Sequence, residues 1–311
     1  MVLVLGATGF LGKRVCKKLD DYGIEYLQTS LGQGLDLQDK RESIAYFEKV
    51  KPDHVLNCAA YIGGVQFGYE HAAEMFEKNL QMELSILSAC KETNVKRLVN
   101  PIGNCSYPGV AERYREDEFW DGPLHESVLA YGFAKKAFCV GAWAYGRQYK
   151  LDIINLVFPN MYGPGDHFDP VRSHAVGGMI QKFVDAKDEG LDSVVIWGSG
   201  NPVREWLYVD DAAEAMIRAL KIQKYEEIIN IGRNEGYSIR ETAELIKKIV
   251  GFEGKLVYDT EKIDGAPIKI MDDARCKEIM GWRPEMNFEE GLKIAVDSYK
   301  EYKRKRRNEN D

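Results

Sequence analysis

Tyr131 and Lys135, in the run Tyr131-Gly-Phe-Ala-Lys135, are the first residues of this chain whose types and spacing suggest chemistry. Four positions apart, they share one face of a helix. An ammonium held there lowers the pKa of a phenol from about 10, making Tyr131 a usable proton donor or acceptor for a carbonyl/alcohol interconversion. An amphipathic helix pair without catalytic meaning has the same spacing. Two further candidates stand apart in sequence: Cys105, within Gly103-Asn-Cys-Ser-Tyr-Pro108, and His174, after Ser173. A thiol and an imidazole both titrate within reach of neutral pH and can serve as base and acid. Equally, a lone cysteine is commonly a small buried hydrophobe, and a histidine beside a helix start a capping or packing group.

What favours the chemical reading of Tyr131 is the start of the chain. Val2-Leu-Val-Leu5 is an apolar run of strand type that passes into Gly6-Ala-Thr-Gly9-Phe-Leu-Gly12 and then into Lys13 to Leu19, which reads as a helix. In such a strand, turn and helix the glycines permit a tight turn, let the backbone approach a pyrophosphate and bring helix against strand. Free N–H groups at the helix start then face the phosphates. Gly6, Thr8, Gly9, Phe10, Leu11 and Gly12 are therefore expected around a dinucleotide. Folds specific for NAD end the second strand with an acid that bonds the ribose 2′-hydroxyl. Here that strand ends Gln28-Thr29-Ser30, leaving room and hydroxyls for a 2′-phosphate, so NADP is expected; the usual arginine is missing, and NAD stays open. Asp36 and Leu37 are expected beside the adenine, although an ordinary turn acid looks the same.

The elements that must position these residues alternate in type. Strands are expected at Glu25–Thr29, His54–Cys58, Arg97–Asn100 and Leu151–Val157, with helices at Lys40–Val50, Ala72–Thr93 and around Tyr131. That alternation predicts an α/β fold, a Rossmann-type doubly wound parallel sheet covered on both faces. After Tyr162-Gly-Pro-Gly165 the rhythm breaks, with a helix near 175–187, a strand at Ser193–Trp197, a helix at Asp210–Lys221 and a returning strand at Ile228–Ile231. Ser238-Ile-Arg-Glu241 is a capping box that opens another helix. The expected division is a dinucleotide-binding domain over 1–165 plus about 205–235, and a smaller interleaved α/β substrate domain over about 166–204 plus 236–311.

Composition sets outer limits. With 311 residues and 45% hydrophobic content the chain can bury a large core. No apolar run reaches membrane length and the opening one is too short for a signal peptide, so a cytoplasmic protein without a membrane partner is expected. The six cysteines are scattered, with no Cys-x-x-Cys pair and no histidine cluster at metal spacing, so no metal and no disulfide frame are expected. A net charge of −7 argues against a nucleic-acid partner, and the basic run Lys303–Arg307 reads as a frayed, solvated tail.

Further pieces complete a pattern: Asn57-Cys-Ala-Ala60 with Gly63-Gly64, Asn79, Pro159-Asn-Met-Tyr-Gly-Pro164, Trp197-Gly-Ser-Gly-Asn-Pro-Val-Arg204-Glu205 and Asp264-Gly-Ala-Pro267. Over nearly its whole length the chain resembles the extended short-chain dehydrogenase/reductase (NAD-dependent epimerase/dehydratase) family. Cys105 with His174, and Trp197 with Arg204, resemble the GDP-L-fucose synthase branch of it. The resemblance implies an epimerase/reductase acting on a 4-keto-6-deoxy or related GDP-hexose. On that basis the ketone acidifies C3 and C5, Cys105 is the base and His174 the acid that invert them, and hydride from a nicotinamide reduces C4. Tyr131 is then the proton donor, and Lys135 holds the nicotinamide ribose and tunes Tyr131.

The same resemblance implies cofactor contacts at Ala59, Ala60, Ile62, Asn79 and Pro159, and substrate contacts at Ser106, Asn160, His174, Lys182, Trp197, Arg204 and Lys269. It also implies a homodimer in which the helices at 72–93 and 131–146 pair into a four-helix bundle. One departure stands out. Many members place a serine at the position of Gly103, where its hydroxyl bonds the carbonyl being reduced; here Asn104, Ser106 or water is expected to supply that bond, and Asn104 joins the catalytic candidates. Two other readings stay open: a nucleotide-sugar 4-epimerase or dehydratase with a retained NAD, and a non-catalytic dinucleotide-binding relative.

Overall fold

All four side chains of the first strand, β1 (Val2–Leu5), are buried, as a strand covered on both faces requires. The structure, a computed structural model, describes residues 1–168, 173–262 and 264–310. From β1 the chain runs through α1 (Phe10–Asp21), β2 (Tyr26–Thr29), α2 (Lys40–Val50), β3 (His54–Asn57), α3 (Val65–Glu70), α4 (Ala72–Glu92) and β4 (Arg97–Gly103). Next come α5 (Leu129–Tyr149), β5 (Asp152–Phe158), β6 (Asn160–Tyr162), α6 (Ala175–Glu189), β7 (Ser193–Trp197), β8 (Val203–Arg204), β9 (Trp206–Tyr208) and α7 (Val209–Arg218). It ends with β10 (Ile228–Asn230), β11 (Tyr237–Ser238), α8 (Ile239–Val250), β12 (Lys255–Asp259), β13 (Ile268–Lys269), α9 (Ala274–Met280) and α10 (Phe288–Asn310).

Six strands form one parallel sheet in the order β10-β5-β4-β3-β1-β2. α1 and α7 bury Val15, Leu19, Met216 and Ile217 on one face of it. Phe47 of α2, Ile86 and Leu87 of α4 and Phe138 of α5 cover the other. Because β2 and β3 flank β1 on opposite sides, the winding reverses there. The loops leaving β1 and β3 diverge, and a crevice opens beyond the carboxyl ends of the strands.

β4 runs three residues beyond the expected strand, through Pro101. A proline donates no N–H and reads as a strand breaker. It is tolerated because the pairing of β4 with β3 stops at Leu56↔Val99, so from Asn100 onward only β5 lies alongside. The extension carries Gly103 to the crevice.

A second, separate core joins α6, α8 and α10 to β7 and β9, with Phe183, Ile196, Trp206, Ile246 and Leu292 buried in it. α8 opens on the capping box, Ser238 and Glu241 each bonding the other's backbone N–H. The Lys303–Arg307 run is not a frayed tail. It lies within α10, where Lys303 pairs with Asp185 and Asp188 of α6. Among the described residues no helix is long and apolar enough to cross a membrane.

Candidate active site

The turn after β1 shows why its glycines are there. Gly6 has φ +69°, and a Cβ on it would come within 2.6 Å of the Ala59 backbone nitrogen. A Cβ on Gly12 would overlap the Gly6 carbonyl oxygen and sit 2.8 Å from Ala7 Cα, so its absence lets α1 press against the turn. Phe10 and Leu11 bury their side chains in the core and offer only backbone N–H groups. Gly9, the N-cap residue, has no capping side chain, so the start of α1 keeps its N–H groups for an anion, and a pyrophosphate fits there. Thr8 is exposed at the rim, and across the crevice Ala59 is half-buried while Ala60 and Ile62 are exposed.

Several expected cofactor residues already have partners within the protein. Asn79 is fully buried; its Oδ1 accepts from the Tyr61 N–H at 3.0 Å, and its Nδ2 donates to the Tyr61 and Met75 carbonyls at 2.8 and 2.6 Å. Its amide thereby holds the loop after β3. Thr29 and Ser30 are both buried, and Ser30 donates its hydroxyl to Gln33 at 3.1 Å. Asp36 accepts from the backbone and side chain of Gln38, the behaviour of a turn acid, and Leu37 lies in the core. Pro159 is buried and Asn160 half-buried at the carboxyl end of β5.

Tyr131 and Lys135 share the expected helix face, with the Lys135 nitrogen 5.8 Å from the Tyr131 ring centre. Their electrostatics differ from the expectation. Lys135 pairs at 2.8 Å with Glu83 of α4, a residue that no motif singled out, and the two side chains are 1% and 4% exposed. Burial pushes the Tyr131 phenol up to about 12, and Lys135 only partly opposes that rise while Glu83 adds to it. Burial works against the Lys135 charge, but Glu83 and Tyr131 outweigh it and hold the ammonium above its ordinary range. Tyr131 is therefore a protonated phenol, suited to donation.

Gly103 has an ordinary φ of −79°, so its glycine is not a matter of backbone strain. A Cβ there would lie 2.9 Å from Cys105 Sγ and 3.3 Å from Tyr131 Cε1. Thiol and phenol thus converge on the space a side chain at 103 would fill. The two expected substitutes for the serine differ in how they are engaged. Ser106 is fully buried and donates to the Gly132 carbonyl at 3.0 Å. Asn104 is 3% exposed, and its buried Nδ2 has no hydrogen-bond partner. Burial pushes the Cys105 thiol up, with Lys269 and Lys135 pulling the other way, so the free thiol is protonated.

Cations gather beside this group. Lys269 and Arg204 are register partners on the parallel strands β13 and β8, which sets them side by side on one face. Both are buried, and neither makes an ion pair among the described residues. Burial pulls Lys269 down to about 8 against the pull of Cys105, and lowers Arg204 as well. Arg204 donates to the Val203 and Asp264 carbonyls, while its neighbour Glu205 points away and accepts backbone N–H groups from Arg233, Asn234 and Met271. The same Asp264 takes the Ser199 N–H and hydroxyl at 2.8 and 2.7 Å, locking the Trp197-Gly-Ser turn to the Asp264-Gly turn. Trp197 is half-exposed, with the Lys182 and Lys262 nitrogens 4.8 and 5.5 Å from its ring. His174 precedes α6 as its N-cap residue but does not cap it; its Nδ1 lies 3.4 Å from Asp166 Oδ1.

The model of the NAD dependent epimerase/dehydratase family matches residues 2–232. GDP-L-fucose synthase 1 of Arabidopsis thaliana is 34% identical over 299 residues, spanning 96% of this chain and 92% of that protein. Among solved structures, a GDP-L-fucose synthetase from Naegleria fowleri bound to NADP is similar at TM-score 0.88 and 28% identity, covering 97% of this chain and 94% of that one. A GDP-6-OMe-4-keto-L-xylo-heptose reductase from C. jejuni reaches TM-score 0.90 at 25% identity, covering 97% of each chain. With its glycine turn, parallel sheet and Tyr131/Lys135 helix in the arrangement described, the chain belongs to the NAD-dependent epimerase/dehydratase family.

Proposed function

We propose that this protein is a nucleotide-sugar epimerase/reductase acting on a 4-keto-6-deoxy or related GDP-hexose, with NADPH as its reductant. The observation that carries the reading is the pair of buried cations, Arg204 and Lys269, that have no ion-pair partner among the described residues, with Lys269 beside the Cys105 thiol. Unpaired buried charge is costly, and a diphosphate neutralises both cations at once. In this reading residues 1–165 with about 205–235 hold the cofactor, and the core built on α6, α8 and α10 supports the sugar nucleotide.

Cys105 removes the acidified proton at C3 or C5 on one ring face, and His174 delivers one to the other. Lys269 makes the first step feasible, because its charge is what draws the buried thiol toward ionisation. A bound nicotinamide supplies the hydride for C4. Tyr131, kept protonated by burial, passes its proton to the developing alkoxide, and Lys135 holds the phenol in a positive field. NADPH is favoured by the absence of a carboxylate at the end of β2 and by the NADP-bound relative.

The exposed apolar side chains Phe76 and Leu84 on α4 and Phe133, Val140 and Trp143 on α5 form one face, which a second copy of the chain covers in a four-helix bundle. The catalytic assignment is tested with a 4-keto GDP-sugar in heavy water. Without reduced cofactor the wild type should place deuterium at C3 and C5, and Cys105→Ser should suppress this. Tyr131→Phe should leave exchange in place while lowering C4 reduction by about 10²-fold or more. No exchange in the wild type, or full reduction by Tyr131→Phe, would sink the reading.

A further inference from the structure

Asp166 stands outside the motifs that drew attention to this chain, yet it is placed where a partner for His174 belongs. Its side chain is 2% exposed, against 28% for the histidine. Oδ1 accepts the His167 backbone N–H at 2.7 Å and lies 3.4 Å from His174 Nδ1; Oδ2 has no partner and is closed off from solvent. A buried carboxylate with half its acceptor capacity unused is costly unless a positive or donating neighbour compensates it. Among the described residues, His174 is the side chain within ion-pair distance.

The local fold is shaped to keep this contact. Gly163 and Gly165, at φ +141° and +84°, turn the chain after β6 so that Asp166 folds back beneath the first turn of α6. There Gly177 leaves a notch, since a Cβ on it would come within 2.9 Å of Asp166 Oδ2. Capping does not explain His174, because its ring makes no bond to the N–H groups of α6.

We infer that Asp166 is the positioning residue of His174, holding Nδ1–H so that Nε2 carries the mobile proton toward the ligand. The inference rests on the epimerase reading for its catalytic meaning, although the tether itself does not. A carboxylate behind an imidazole selects the tautomer and orients the ring, and loss of such a partner typically costs roughly 10- to 100-fold. At 3.4 Å the contact is long, and catalytic contacts of this kind tighten when substrate binds.

The test has two independent readouts on the full-length protein. Long-range nitrogen–proton NMR of histidine-labelled protein, with the His174 signals identified by their loss in His174→Asn, reads the tautomer directly. The wild type should carry its neutral-state proton on Nδ1. Asp166→Asn and Gly177→Ala, the latter pressing a methyl group onto the carboxylate, should shift it toward Nε2. With a 4-keto GDP-sugar, both variants should slow C3/C5 deuterium exchange by about 10-fold or more while leaving hydride delivery to an already inverted substrate within about threefold. A wild-type His174 protonated on Nε2, or exchange at the wild-type rate in Asp166→Asn, overturns the inference. If Asp166→Asn does not fold, Gly177→Ala and the wild-type tautomer decide, alanine being well tolerated inside a helix. Should the wild type show no exchange at all, the epimerase reading fails while the tautomer still tests the tether.

Discussion

Gly103 leaves open a space that borders both Cys105 and Tyr131. The family position calls for a serine donor, but here Cys105 Sγ sits 2.9 Å from where that serine's Cβ would be. A side chain at 103 therefore requires the thiol, the end of a single rotatable side chain, to shift. We therefore expect Gly103→Ser to displace Cys105 and reduce C3/C5 exchange by about 10-fold or more, without accelerating C4 reduction. In Gly103→Ser/Cys105→Ala the clash is gone, and C4 reduction of an already inverted substrate should equal or exceed that of the wild type. If the buried, unpartnered Asn104 Nδ2 is not the carbonyl donor, Asn104→Ala should leave that reduction within about threefold. A 10²-fold loss in Asn104→Ala, measured with purified inverted substrate, would return the donor role to Asn104.

At the scale of elements, the α4–α5 pair is joined by the Glu83–Lys135 contact as well as by apolar packing. Removing one partner of a buried pair leaves the other uncompensated, at a cost of roughly 3–5 kcal/mol. Glu83→Gln should therefore lower stability in denaturant titration by an amount approaching that range, and replacing both residues with apolar ones should restore most of it. Catalysis gives a second sign. Glu83 raises the Tyr131 phenol, so its loss moves that pKa down. Since Tyr131 donates only while protonated, the alkaline fall of the reduction rate should move to lower pH in Glu83→Gln. An unchanged alkaline limb would mean that Glu83 braces the helices and does not tune the phenol.

For the whole molecule, the α4–α5 face is the outward counterpart of the site. The helix that carries Tyr131 and Lys135 inward shows Phe133, Val140 and Trp143 outward, and α4 adds Phe76 and Leu84. Such a face is larger than a solvated helix pair needs. Sedimentation at micromolar concentration should find a dimer for the wild type and a monomer for Leu84→Glu/Val140→Glu. The monomer should retain its far-ultraviolet circular dichroism, because both positions lie outside the core. A monomeric wild type would remove the four-helix bundle.

Local rules of the chain determined most of the framework. Strand and helix periodicities, the Gly6-to-Gly12 turn and the Ser238 capping box each act over a few residues, and they placed the parallel sheet and the crevice beyond it. The Tyr131/Lys135 face followed from helix spacing alone. Tertiary structure decided what depends on distant segments meeting. Pro101 fits in a strand because β3 has already left it, and the Lys303–Arg307 run is helical because α6 supplies carboxylates to Lys303. Electrostatics belonged wholly to that level. Whether Tyr131 is lowered or raised depends on desolvation and on a glutamate 48 positions before it in sequence, and neither is encoded in the spacing of a motif. Asn79 and Ser106 likewise carry polar groups that looked available in the sequence, and only packing revealed that backbone groups had already taken them.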